Sequence, residues 1–114
     1  LDRPILILLD DIIDAIHKIE EYTKGITLNE FLQSDIIQDA VERNIEIIGE
    51  VCNHLPNDFI TKHNEIEWHK PISMRNRLIH GYFNVDQMLL WNTIKTILPN
   101  FKIQIEFLKS QLIP

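Results

Sequence analysis

The sequence predicts an all-α fold, an up-and-down four-helix bundle with short additional helices, in a single domain spanning residues 1–114. Three observations predict it. Apolar residues recur every three or four positions through most of the chain, the spacing of one helix face. No segment alternates strictly or carries an Asn-Gly or Asp-Gly hairpin turn. Only three glycines and five prolines interrupt 114 residues, so the helices are punctuated by few, definite turns. At 45% hydrophobic and 25% charged, a chain of this length buries a core without staples.

The elements follow in order. Residues 4–23 read as the first helix, with Ile5, Leu8, Leu9, Ile12, Ala15, Ile16, Ile19 and Tyr22 along one face, and Gly25 closes it. Thr27 and Glu30 have the spacing of a capping box for a short turn, TLNEFLQ. Ser34 caps a long helix over 35–55. Its apolar stripe is Ile37, Ala40, Val41, Ile48, Val51 and Leu55, with a narrower second stripe of Ile45 and Cys52. Burying both stripes requires more than one neighbour, within the bundle or from a second subunit. Gly49 within this helix costs about 1 kcal/mol against Ala, which points to close approach by another helix. Pro56 starts a shorter segment, NDFITKH. Pro71 sits at the first turn of a helix over 71–82, where its missing N–H goes unneeded. Asp86 caps a further helix, QMLLWNTIKTIL, and Pro99 starts the last, NFKIQIEFLKSQL.

Composition excludes several classes. A single cysteine, Cys52, rules out an internal disulfide, and on a stripe of Ile and Val it reads as packing rather than a nucleophile. PILILL is too short to span a bilayer and ends at Asp10 and Asp11, so the expectation is a cytoplasmic protein with no membrane partner. The chain does not open on Met, which suggests residues before Leu1. A net charge of −6 argues against a broad nucleic-acid-binding surface. The distribution matters more than the sum. From Trp68 to Val85 there is no Asp or Glu, while Lys70, Arg75, Arg77, His69 and His80 fall inside that window.

The chemistry concentrates in MRNRLIHGY, residues 74–82. On a helix at about 100° per residue, Met74, Leu78 and Ile79 face the core. Asn76 and His80 are adjacent at i, i+4, and Arg77 is at i, i+3 from His80. Arg75 lies about 140° around, with a side chain long enough to bend back. Imidazole moves protons near neutral pH. Guanidinium grips phosphate through paired hydrogen bonds and stabilises added charge on phosphorus. Together they suit RNA cleavage without metal: a base takes the 2′-hydroxyl proton, the oxygen attacks phosphorus, and arginine holds the charge. The plainer reading is an exposed helix with a salt-bridging arginine.

Other clusters carry less. Asp10, Asp14, His17 and Glu21 share a side of the first helix, but there is one Asp-x-x-His and no second copy, so this is a solvated charged face. Glu65, Glu67 and His69 lack ligand spacing and belong to a loop with a partly buried Trp68. No metal or cofactor is expected. Asn44 falls on the apolar stripe between Val41 and Ile48. It is either a satisfied core or interface amide, or a group that orients a side chain of the basic helix.

Three stretches, QDAVERNIEIIGEV, MRNRLIHGYFNVD and LWNTIKTILPNFKIQIEFL, together resemble the HepT-like family, the minimal HEPN-domain toxins. The resemblance runs from DDIIDAIHKIEEYTKG to the C-terminus. The family motif Arg-x-x-x-x-His-x-Tyr falls on Arg75, His80 and Tyr82 without departure. The resemblance implies a helical bundle that forms a homodimer, with a metal-independent endoribonuclease site in the cleft between subunits. It implies the toxin role in a type VII toxin–antitoxin system. The cognate minimal nucleotidyltransferase, the antitoxin, transfers AMP to the motif tyrosine, here Tyr82. On this reading RNA is the substrate, Arg75 and His80 are catalytic, and Asn76, Arg77 and Asn44 support them. The alternative from another class is a non-catalytic helical dimer that binds nucleotide or presents a nucleotidyltransferase partner.

Overall fold

The computed structural model describes residues 4–80 and 85–113, and among them all regular structure is helical. The elements are α1 (Ile5–Thr23), α2 (Leu28–Leu32), α3 (Asp35–His54), α4 (Asn57–Lys62), α5 (His69–His80), α6 (Gln87–Asn92), a π-helical turn (Thr93–Ile97) and α7 (Leu98–Leu112). The long members α1, α3, α5 and the α6–α7 rod make the bundle. α3 packs against both α1 and α5, and α1 packs against α7. Trp68, just before α5, meets Phe101 of α7 edge-on at 6.1 Å, which draws the fourth side together.

The expected caps are in place. Thr27 accepts from the Glu30 amide at 3.1 Å, and Glu30 accepts from the Thr27 amide at 2.8 Å. Ser34 accepts from the Ile37 amide at 3.2 Å. Gly25 follows α1 with φ +74°, a left-handed conformation in which a Cβ is strained. Gln38, buried, donates to the carbonyls of Phe31 and Leu32 at 2.9 and 3.1 Å. It thereby satisfies the end of α2, whose Phe31 is fully buried and lies 5.2 Å from the Trp91 ring.

The core stripe of α1 is Leu8, Leu9, Ile12, Ile13, Ala15, Ile16 and Ile19. Tyr22 departs from it at 39% exposed, while its neighbour Thr23 is buried in the same last turn. On α3 the deepest line is Val41, Ile45, Ile48 and Cys52, with Ile37 and Val51 at its margins. The two stripes form one wide face because α3 is central, with α1 on one side and α5 on the other.

The last third differs from expectation. Pro99 does not start a separate helix, since Asn92, Thr93, Ile97 and Leu98 all keep right-handed helical angles. The rod continues through a widened turn in which the Leu98 amide bonds to the Thr93 carbonyl, five residues back. Two pressures produce it. Pro99 has no N–H for the carbonyl four residues earlier. The buried positions Leu90, Ile94 and Leu98 are spaced by four twice running, which drifts about 40° per step around an ideal helix. The wide turn absorbs the drift, so that Phe101, Ile105 and Leu108 still face the core.

Helix α3 and helix α5 touch at Gly49. A Cβ there would lie 2.3 Å from Arg75 Cβ and 2.7 Å from the Pro71 carbonyl oxygen. The expected close approach is therefore real, and its partner is the basic helix. Gly49→Ala should destabilise the fold by about 1–2 kcal/mol, because overpacking outweighs the gain in helix propensity; urea unfolding measures this. At the other end of the contact, Gln87 of α6 donates to Glu42 of α3 at 3.1 Å. Burial raises the Glu42 carboxyl above its usual 4.5; the Gln87 bond opposes this, and Asp39 and Glu46 add to it. A raised carboxyl contributes stability below its unfolded value and loses it as pH rises through the folded one. Glu42→Gln should therefore raise Tm at pH 7, and the gain should shrink as pH falls towards 4.5.

Candidate active site

Helix α5 begins at His69, two residues before the expected start, which leaves Pro71 still within its first turn. Lys70 pairs with Glu67 at 3.1 Å across that start. Met74 and Leu78, at i and i+4, are buried at 9% and 6% exposed and fix the rotation of the helix. Ile79 lies 40% exposed, contrary to expectation: it sits about 100° beyond Leu78, past the edge of the buried strip. The preceding loop is tighter than expected. Trp68 is buried at 4% exposed, and donates through Nε1 to the His63 carbonyl at 3.0 Å.

The candidate residues divide between two sides of α5. Arg75 is half-buried, with its Cβ and Cγ against Gly49, so its stem runs along α3. Its Nε is buried with no hydrogen-bond acceptor among the described residues. A buried N–H left in that state costs about 1–3 kcal/mol, a local expense typical of functional side chains. Asn76, Arg77 and His80 are exposed. Arg77 and His80 line one cavity of about 370 Å³ between α5 and α6, with Met74, Leu78, Leu89 and Leu90 as its apolar part. Val85 and Asp86 line it as well. Among the described residues, neither Arg75 nor Arg77 forms an ion pair, so the salt-bridged surface helix is not what is seen. Tyr82 lies outside the described residues.

Asn44 is buried at 5% exposed, and its Nδ2 donates to the Ala40 carbonyl at 2.9 Å. Its hydrogen bond is thus within α3, and none to α5 is present among the described residues. Cys52 is buried and its thiol is pushed up to about 12 by desolvation, which leaves no thiolate for chemistry. The acidic side of α1 is engaged with α7: Asp10 pairs with Lys109, and Glu20 with Lys102 at 3.0 Å. Among the described residues no three His, Cys, Asp or Glu side chains gather as metal ligands. No helix among them is long and apolar enough to cross a membrane.

The α6 wall of the cavity is the part that sequence reasoning missed. Asp86 was legible as a cap, and it does accept from the Leu89 amide at 3.1 Å. That it lines the same cavity as His80 depends on how α6 packs relative to α5, for which local spacing gives no signal. Chemically, the cavity presents an imidazole, a free guanidinium and a carboxylate around an apolar floor. That set can bind a phosphate, move a proton, and hold a flat apolar group beside both.

Comparison with known proteins agrees. A family model for ribonuclease HepT-like proteins matches residues 12–108. A protein of Thermococcus cleftensis described as "Probable ribonuclease HepT" is 46% identical over 102 residues, covering 90% of this chain and 93% of that protein. One of Methanocaldococcus jannaschii described as "Gamma-glutamylcyclotransferase and putative RNase" is 42% identical over 96% of this chain, which spans 50% of that longer protein. A third, from the same organism and described as "Putative RNase", is 38% identical over 91% of this chain and 95% of its own length. No solved structure gives a significant match. With a bundle of this kind, and matches to a family model over residues 12–108 and to a 46% identical relative over 90% of its length, the chain belongs to the ribonuclease HepT-like family.

Proposed function

We propose that the protein is a metal-independent endoribonuclease, the toxin of a type VII toxin–antitoxin pair, acting in the cytoplasm as a homodimer. The observation that carries this reading is the cavity where His80 and Arg77 meet, with neither Arg75 nor Arg77 in an ion pair. His80 takes the proton of an RNA 2′-hydroxyl, and O2′ attacks the adjacent phosphorus. The bond to the 5′-oxygen breaks as that oxygen gains a proton, leaving a 2′,3′-cyclic phosphate. Arginine holds the extra charge on the phosphoryl oxygens. Arg75 supplies this best, since the α3 contact fixes its stem; Arg77 and Asn76 hold the neighbouring backbone.

Arg75 starts towards α3 while His80 borders the α6 side, so one chain alone presents them on two sides of α5. A symmetric pairing of two basic islands would unite them in one cleft, and would concentrate positive charge on a body of net charge −6. The same division is what favours the second reading, a non-catalytic dimer that binds nucleotide or presents a nucleotidyltransferase partner. Control would come through Tyr82: its oxygen attacks the α-phosphorus of ATP on the cognate nucleotidyltransferase, and pyrophosphate leaves. The AMP then places negative charge beside His80 and occupies the guanidiniums meant for RNA.

RNA cleavage should proceed unchanged in EDTA. His80→Ala should lower it by ~10²–10⁴-fold, and Arg75→Ala by ~10²–10³-fold, with helical circular dichroism intact. A verified, unmodified dimer that cuts no RNA would establish the binding module instead. Incubation with the partner and ATP should add one or more AMP masses to the wild type and none to Tyr82→Phe; an unshifted wild-type mass would sink the regulatory step.

A further inference from the structure

We propose that the cavity between α5 and α6 is a nucleobase subsite, which seats a base of the RNA strand next to the scissile phosphate and reads it through Asp86. The placement rests on the nuclease reading above; the slot itself rests on its lining. Met74, Leu78 and Leu90 are 9%, 6% and 0% exposed and make a dry floor, with the half-buried Leu89 at its wall. The polar part of the lining is of mixed sign, with Arg77 and His80 from α5 and Asp86 from the start of α6. A volume of about 370 Å³ is at the small end of ligand sites, which run roughly 300–1,000 Å³. An apolar slot bounded by a few convergent polar groups is the usual form of such a site.

The polarity of the lining orients the occupant. A phosphodiester is drawn to Arg77 and His80 and repelled by Asp86, so the backbone stays on the α5 side. The base attached to that backbone is then directed across the floor towards Asp86. The cap uses Asp86 Oδ1, and an ionised carboxylate offers about four acceptor positions in all. A carboxylate only accepts. It therefore favours a base that presents an exocyclic amine (adenine, cytosine or guanine) over uracil, whose exocyclic groups on that edge are carbonyls. Asp86 is thus assigned two tasks, starting α6 and discriminating the base.

Deep sequencing of ends cut from a random RNA pool by the unmodified dimer tests this. One position flanking the break should favour amine-bearing bases over uracil by about tenfold, the scale of one charge-assisted hydrogen bond. Asp86→Asn keeps a side-chain oxygen able to cap α6 but sets an amide donor in place of an acceptor. It should turn the preference towards uracil and lower kcat/KM on the formerly preferred base about tenfold. Even cutting at both flanking positions, or an unaltered preference in Asp86→Asn, overturns the subsite while the nuclease stands. If the wild type cuts nothing, the nuclease reading falls. The slot is then decided by NMR of the Met74 and Leu89 methyls titrated with CMP, AMP and UMP at millimolar concentration, where no shift refutes it. Mononucleotide binding without any base preference in cleavage assigns the slot to a nucleotide other than the RNA strand, and likewise refutes the proposal.

Discussion

The contact between Gly49 and the stem of Arg75 is the constraint on which the functional surface depends. A helix can approach another this closely only where one of them lacks a side chain, and here the missing Cβ is replaced by Arg75 Cβ and Cγ and by the Pro71 carbonyl. The approach sets the depth and rotation of α5. Met74 and Leu78 then turn inward, and Asn76, Arg77 and His80 are left on the outer surface. It also confines an arginine whose Nε finds no acceptor among the described residues. A charged side chain is ordinarily free to swing; this one has its first carbons held by packing, so its remaining atoms search a smaller volume.

The second determinant is where charge is left out. Acidic residues outnumber basic ones by 17 to 11, yet among the described residues neither guanidinium of α5 forms an ion pair. Three lysines are paired locally: Lys70 with Glu67 at the start of α5, Lys102 with Glu20, and Lys109 with Asp10. Those exposed pairs add little stability, but they cancel fields far from the cavity. The guanidiniums of Arg75 and Arg77 thus stand on α5 within a chain of net charge −6.

What was legible in the sequence was what neighbouring residues decide among themselves. Ser34, Asp86 and the Thr27–Glu30 pair act within three positions, so their caps could be read directly. Pro71 and Gly25 carry their backbone preferences with them. The unread parts all depend on distant partners. Ile79 and Tyr22 have the right spacing to be buried yet lie 40% and 39% exposed, at the edges of the buried strips that the neighbouring helices define. Pro99 reads as a helix start by local rules, but a widened turn upstream makes an interruption unnecessary. For the site, the residues of α5 were visible as a motif, whereas the α6 wall was not, because it arises from packing between two separate helices. The side of α5 that Arg75 takes was likewise set by Gly49, which lies 26 positions earlier in the chain.

The widened turn at Thr93–Ile97 has an implication for how this rod tolerates change in length. It accommodates an offset of about one residue between the register of Leu90 and Ile94 and that of Phe101, Ile105 and Leu108. Excising one residue there would restore a regular spiral and still leave Phe101, Ile105 and Leu108 on the oily side, because the bulge already stores the surplus residue. Adding a further residue would instead swing the whole C-terminal segment by about 100°, so this stretch absorbs shortening and not lengthening.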